Sequence, residues 1–207
     1  MSKRSDVHDR VLNARSLEDI ETGYRAWASD YDQDLIDEAG YVAPKQCADA
    51  LGELLPDSGA SVLDAGCGTG LVGVYLAEAG VDAIDGIDFS QDMLDVAAEK
   101  NCYRSLLQAD LNQPLDIPSN HYGASACVGT FTTGHVRPEA LFELIRVTES
   151  GGPICFTVRD SFWKETGFQD VIDKARKRGV AELVSQAEMP YIKEEGSSCH
   201  QVMMRAS

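Results

Sequence analysis

From residue 60 onward, short apolar runs alternate with amphipathic stretches. Their periods predict strands at about 60–65, 83–88, 104–109, 123–129 and 152–159, and helices at about 70–79, 91–100, 138–148 and 166–187. Strands separated by helices imply right-handed crossovers and a parallel sheet covered on both faces. Met189 to Glu195 and Cys199 to Arg205 read as two further strands joined by a tight turn at Gly196-Ser197. Ahead of this α/β pattern, Leu17, Ile20, Tyr24, Trp27, Tyr31 and Leu35 recur at spacings of three and four, marking one apolar helical face. Pro44 can open a second helix through Cys47, Leu51 and Leu54, closed by Pro56-Asp57-Ser58-Gly59. The expectation is one domain over 1–207, with an N-terminal tail and helices over 1–56 and the α/β core over 57–207.

Composition narrows the partners. The 207 residues carry a formal charge of −16, and phosphate backbones need a basic footprint. The one basic run, Lys174-Ala175-Arg176-Lys177-Arg178, stands before Gly179, where a helix would end and cations are favoured. Nucleic acid is therefore not expected as a partner. The six cysteines lack zinc-site spacing and Cys-x-x-Cys pairs, so no metal is expected. With no signal region and no long apolar span, the chain is expected to be soluble, reduced, cytoplasmic and free of the membrane. Its oligomeric state has no visible determinant.

The chemistry concentrates in Val62-Leu63-Asp64-Ala65-Gly66-Cys67-Gly68-Thr69-Gly70, a strand running into a glycine turn that opens a helix. Such turns expose backbone N–H groups to a ligand. Dinucleotide sites use Gly-x-Gly-x-x-Gly to seat a pyrophosphate. Here the third glycine comes one residue early, at Gly70, and Leu71 takes the dinucleotide position. From Gln46 to Glu99 there is no Lys or Arg, whereas eleven residues are acidic. A pyrophosphate would meet Asp64 without a sequence-local cation, so a ligand carrying an ammonium and a sulfonium is favoured; S-adenosylmethionine is one. Asp88 ends the second strand, where two carboxylate oxygens suit two ribose hydroxyls. Ser90 is the better cap for the helix that follows. Phe89 and Met93 are counted with the same site. Asp110 at the third strand's end suits an adenine amino group, with Leu111 against the ring; a turn-initiating role with Asn112 is the alternative.

Taken together, these residues resemble a class I S-adenosylmethionine-dependent methyltransferase. The resemblance rests on an ordered set: hydrophobic-Asp-x-Gly-x-Gly-x-Gly at 63–70, Gly-x-Asp-x-Ser at 86–90, Ala-Asp-Leu at 109–111, and Arg-Val-Thr-Glu-Ser-Gly-Gly at 146–152. More narrowly, Tyr24-x-x-Trp27-Ala28-x-x-Tyr31-Asp32-x-Asp34 is similar to the Williams-Beuren-region methyltransferase-like family, and Gly68-Thr69-Gly70-Leu71-Val72 agrees with it. The resemblance implies a Rossmann-like, doubly wound, seven-stranded sheet, mostly parallel with an antiparallel C-terminal strand, plus N-terminal cap helices. It places Tyr24, Trp27 and Tyr31 beside the cofactor; an aromatic core stripe is the other reading for Trp27. It also implies that Cys127 and Gly129, at the fourth strand's end, lie where methionine moiety and acceptor meet.

Methyl transfer from a sulfonium is an in-line displacement, so alignment and exclusion of water supply much of the acceleration. A base is needed only if the acceptor must lose a proton. His135 is the candidate base or acceptor contact, with a plain loop histidine as the alternative. Arg159 and Trp163, beyond the fifth strand, are substrate-side candidates, or else a salt bridge and a helix-docking aromatic. The Asn-Pro-Pro-Tyr type of motif for exocyclic amines is absent, which disfavours DNA bases. A small molecule is the first choice of acceptor and a protein side chain the second. A nicotinamide-dependent oxidoreductase and a non-catalytic cofactor-binding protein remain the competing classes.

Overall fold

Strand β1 (Val62–Ala65) is buried at every position, as expected of a central parallel strand covered on both faces. In the computed structural model, which describes residues 32, 40–55 and 59–207, β1 has β2 (Ile84–Asp88) on one side and β4 (Ala124–Phe131) on the other, both parallel to it. The seven strands run in the order β3-β2-β1-β4-β5-β7-β6, with β3 at Ser105–Gln108, β5 at Pro153–Arg159, β6 at Ala181–Pro190 and β7 at Ser198–Ala206. Only β7 runs against its neighbours, pairing antiparallel with both β5 and β6. The chain builds outward from β1 to β3, then returns to the opposite flank at β4. That reversal opens a crevice beyond the carboxyl ends of β1 and β4, where open α/β sheets take their ligands.

Helices close both faces. Helix α1 (Ala43–Gly52) opens at Pro44 and buries Ala43, Cys47, Ala48 and Leu51 on one stripe; it stops two residues short of Leu54. With α2 (Leu71–Glu78) it covers a core containing Val62, Leu76 and Ile84. Helix α3 (Gln91–Glu99) starts at Ser90, whose hydroxyl accepts the Met93 N–H. On the opposite face, a single 3-10 turn (Pro138–Ala140) leads into α4 (Leu141–Val147), followed by α5 (Asp160–Thr166) and α6 (Phe168–Lys177). The core there centres on Phe131, Phe156 and Phe168, whose ring centroids lie 4.9–5.8 Å apart. Among the described residues, no helix is long and apolar enough to cross a membrane.

The helix expected over 166–187 is corrected. Gly167 adopts φ +62 between α5 and α6, and Gly179 adopts φ +67 after the last turn of α6. Left-handed glycines end helices. Residues 181–190 then form the edge strand β6, although Ala, Glu, Leu and Gln favour helix, because pairing along β7 overrides propensity. The hairpin is real but displaced: its first strand ends at Pro190, and Tyr191 to Ser197 form the connection. The N-terminal apolar stripe, with Tyr24, Trp27 and Tyr31, lies outside the described residues.

Candidate functional site

Three left-handed glycines shape the turn after β1: Gly66 at φ +72, Gly68 at +54 and Gly70 at +92. The Gly66 and Cys67 N–H groups donate to the Ile87 carbonyl at 2.7 and 3.0 Å, which lashes the turn to β2. The Gly68 N–H donates to Asp88 Oδ2 at 2.8 Å, and the Ser90 N–H to Oδ1 at 2.9 Å. On the other flank a Cβ at Gly66 would sit 2.3 Å from Thr130 Oγ1. The turn is thus wedged between the ends of β2 and β4. A cavity opens above it, enclosing about 930 Å³ of empty space with its mouth included.

Most of the residues singled out from sequence meet here. Gly66, Cys67, Gly68, Asp88, Phe89, Met93, Asp110, Leu111, Gly129 and His135 all line the cavity. Each Asp88 oxygen accepts one backbone N–H group, and a carboxylate offers about four acceptor positions in all. Burial pushes its carboxyl above the usual range, opposed by the backbone N–H groups of Ser90, Gly68 and Phe89. Asp110 borders the cavity, and its Oδ1 accepts the Asn112 N–H at 2.8 Å, the turn-initiating contact. No Lys or Arg is among the described residues lining the cavity, against two carboxylates.

Asp64, Gly70 and Cys127 stand elsewhere. Cys127 is buried in the core, its thiol pushed up to about 12 by desolvation. Asp64 is fully buried and is not among the cavity's lining residues; its Oδ2 accepts the Tyr103 hydroxyl at 2.7 Å. Burial raises its carboxyl to about 7, with Tyr103 and the Gly73 amide pulling it down. The Tyr103 ring fills a cradle in which a Cβ at Gly70, Gly73 or Gly86 would come within 2.9, 2.3 and 3.0 Å of it. A consequence can be measured. A carboxyl raised in the folded state takes up a proton on folding between pH 4 and 7, so its contribution to stability is present at low pH and lost as pH rises. Asp64→Asn is expected to flatten that decline in chemical-denaturation curves taken from pH 4 to 7; an unchanged slope would assign the titration elsewhere.

Within β4 the register against β5 shifts between Cys127 and Phe131, where Gly129 adopts φ +81 and donates its N–H to Thr157 Oγ1 at 2.9 Å. A Cβ there would lie 2.5 Å from the Tyr41 hydroxyl, so Gly129 lets Tyr41 reach the cavity wall. Tyr41 in turn donates to Tyr191 at 3.4 Å. His135 lies in the loop after β4, with Nδ1 3.1 Å from the Thr133 carbonyl, and desolvation lowers its pKa. Asn112 ties this loop down by donating to the His135 carbonyl and accepting the Arg137 N–H.

The family described as "Methyltransferase domain" matches residues 62–152, from β1 to the residue before β5. Human methyltransferase-like protein 27 is 37% identical over 160 residues, 74% of this chain. Residues 62–152 are a methyltransferase domain of the class I S-adenosylmethionine-dependent kind. It spans 64% of that human relative's length. A TehB-like S-adenosylmethionine-dependent methyltransferase from Corynebacterium glutamicum superposes with a TM-score of 0.65 at 21% identity, covering 90% of this chain and 99% of that one. The [4+2]-cyclase SpnF superposes with a TM-score of 0.71 at 16% identity, covering 93% and 97%. Both likenesses concern the fold.

Within this methyltransferase fold, two substrate-side expectations are not brought to the cavity. Arg159 pairs with Glu195 at 3.1 Å, its guanidinium 5.7 Å from the centre of the Tyr191 ring. Trp163 stacks on His200 at a centroid distance of 4.0 Å and on Phe168. Conversely, Tyr41, Thr69 and Asn112 line the site unforeseen as contributors. Thr69 stands within a quoted motif, so position alone could have found it. Tyr41 gives no such signal, because its place depends on Tyr191, 150 residues away.

Proposed function

We propose that the chain transfers a methyl group from S-adenosylmethionine to a small-molecule acceptor. The observation that carries this reading is the cavity wall: a glycine turn, two carboxylates, and no Lys or Arg among the described lining residues. Such a wall disfavours a pyrophosphate and suits a nucleoside with net positive charge. Bound there, S-adenosylmethionine supplies an electrophilic methyl group. Asp88 would hold the ribose hydroxyls and Asp110 the adenine amino group, with Phe89, Met93 and Leu111 as apolar walls. Gly66, Cys67 and Gly68 would let the ligand approach the backbone, while Tyr24, Trp27 and Tyr31 would cap it. Gly129, Tyr41 and His135 would face the acceptor. His135, kept neutral by desolvation, could accept a proton where the acceptor must lose one.

A small acceptor is favoured over a nucleic acid by the −16 charge. Six free cysteines suit a reducing compartment such as the cytoplasm. The catalytic core is read as 57–207 and the tail and cap as 1–56. Calorimetry with S-adenosylmethionine and NAD tests the cofactor: the first is expected to bind, and tighter binding of NAD would overturn the reading. A screen of metabolite fractions with methyl-labelled donor tests turnover. Binding without label transfer to any fraction would leave a cofactor-binding protein instead.

A further inference from the structure

Asp32 reaches the glycine turn from 37 residues before Thr69. Its Oδ1 accepts the Thr69 hydroxyl at 2.5 Å, and its Oδ2 pairs with the Lys100 ammonium. Thr69 is buried and borders the cavity. Lys100 caps the C-terminus of α3, and its stem packs on the turn: a Cβ at Gly70 would lie 3.3 Å from Lys100 Cδ. Lys100 is also the first cation in the chain after Lys45. Both side chains of the pair are largely shielded, with 20% exposure for Lys100 and 27% for Asp32, so neither charge is fully screened by water.

An unpaired ammonium against this turn would change what the turn attracts. It would repel a sulfonium and supply the cation that a phosphate needs. We propose that Asp32 is a positioning and specificity residue: by neutralising Lys100 and holding Thr69, it keeps the glycine turn selective for a cationic nucleoside. This inference rests on the cofactor reading above and deepens it. It predicts a charge-dependent effect that simple loss of packing does not produce. S-adenosylmethionine carries one more positive charge than S-adenosylhomocysteine, which has nearly the same shape. Removing the Asp32 charge must therefore penalise the sulfonium more than the thioether.

The test is calorimetry of both ligands on the full chain and on Asp32→Asn, Lys100→Met and the double variant. Asp32→Asn is expected to lower the affinity ratio of sulfonium to thioether by about fivefold. The double variant should return that ratio to within about twofold of the parent. Lys100→Met alone leaves the carboxylate unpaired and should raise the ratio, which keeps the proposal testable if Asp32→Asn folds poorly. Equal losses for both ligands in Asp32→Asn, or an unmoved ratio in Lys100→Met, would overturn it. Failure of the parent chain to bind either ligand would instead overturn the cofactor reading.

Discussion

Replacing Asp88 with alanine is expected to weaken S-adenosylmethionine binding on the order of 100-fold. Hydrogen bonds to a charged acceptor contribute about 1.5–3 kcal/mol each, and every 1.4 kcal/mol or so is a factor of ten in affinity. Two ribose hydroxyls on one carboxylate would therefore account for a loss of this size. The carboxylate has a second task, since the Gly68 and Ser90 N–H groups end on its two oxygens. Alanine would release both donors and with them the set of the turn. Asp88→Asn keeps one acceptor oxygen and should fall between the two. Calorimetry decides the matter: a loss below about threefold in the alanine variant would place the ribose elsewhere.

The second large effect is on stability. Tyr103→Ala is expected to lower the melting temperature by about 10 °C. Truncating a large core aromatic costs about 3–5 kcal/mol, and one kcal/mol shifts a chain of this size by roughly 2–4 °C. The Tyr103 ring is in part exposed, so the lower end of the cost applies. Its loss would empty the glycine-lined cradle and strip Asp64 of its hydroxyl partner. Tyr103→Phe keeps the ring and loses only the donor, so it should melt between the parent and the alanine variant. Equal melting of Tyr103→Phe and Tyr103→Ala would mean that the ring itself contributes little.

Sequence periodicity located strands β1 to β5 and the glycine turn because both signals are local. A central parallel strand must be apolar on both faces, and a ligand-bearing turn must be glycine-rich, whatever the rest of the chain does. The acidic ends of β2 and β3 were legible for the same reason. Asp64 was legible as a carboxylate but not in its partner: it accepts the Tyr103 hydroxyl and is not among the cavity's lining residues. Tyr103 itself carried no motif, although the glycines at 70, 73 and 86 are the space it needs. Arg159 and Trp163 did end up at the expected sheet edge. There the chain turns directly into α5, which aims them at Glu195 and His200. For 181–190, helix-favouring residues were outvoted by an open strand edge, a choice only the folded sheet can make.

The strand order carries a further consequence for how the fold is reached. β7 lies between β5 and β6 but follows both in the chain. During vectorial synthesis β6 emerges with no neighbour to pair with, and β5 presents a bare flank, until the residues from Ser198 onward arrive. The half of the sheet around β1 can assemble as it is made, whereas the other half must wait for a late strand to slot into a gap. Such an intermediate exposes unpaired edges, which makes this region the place where a nascent chain would most need shelter from its neighbours.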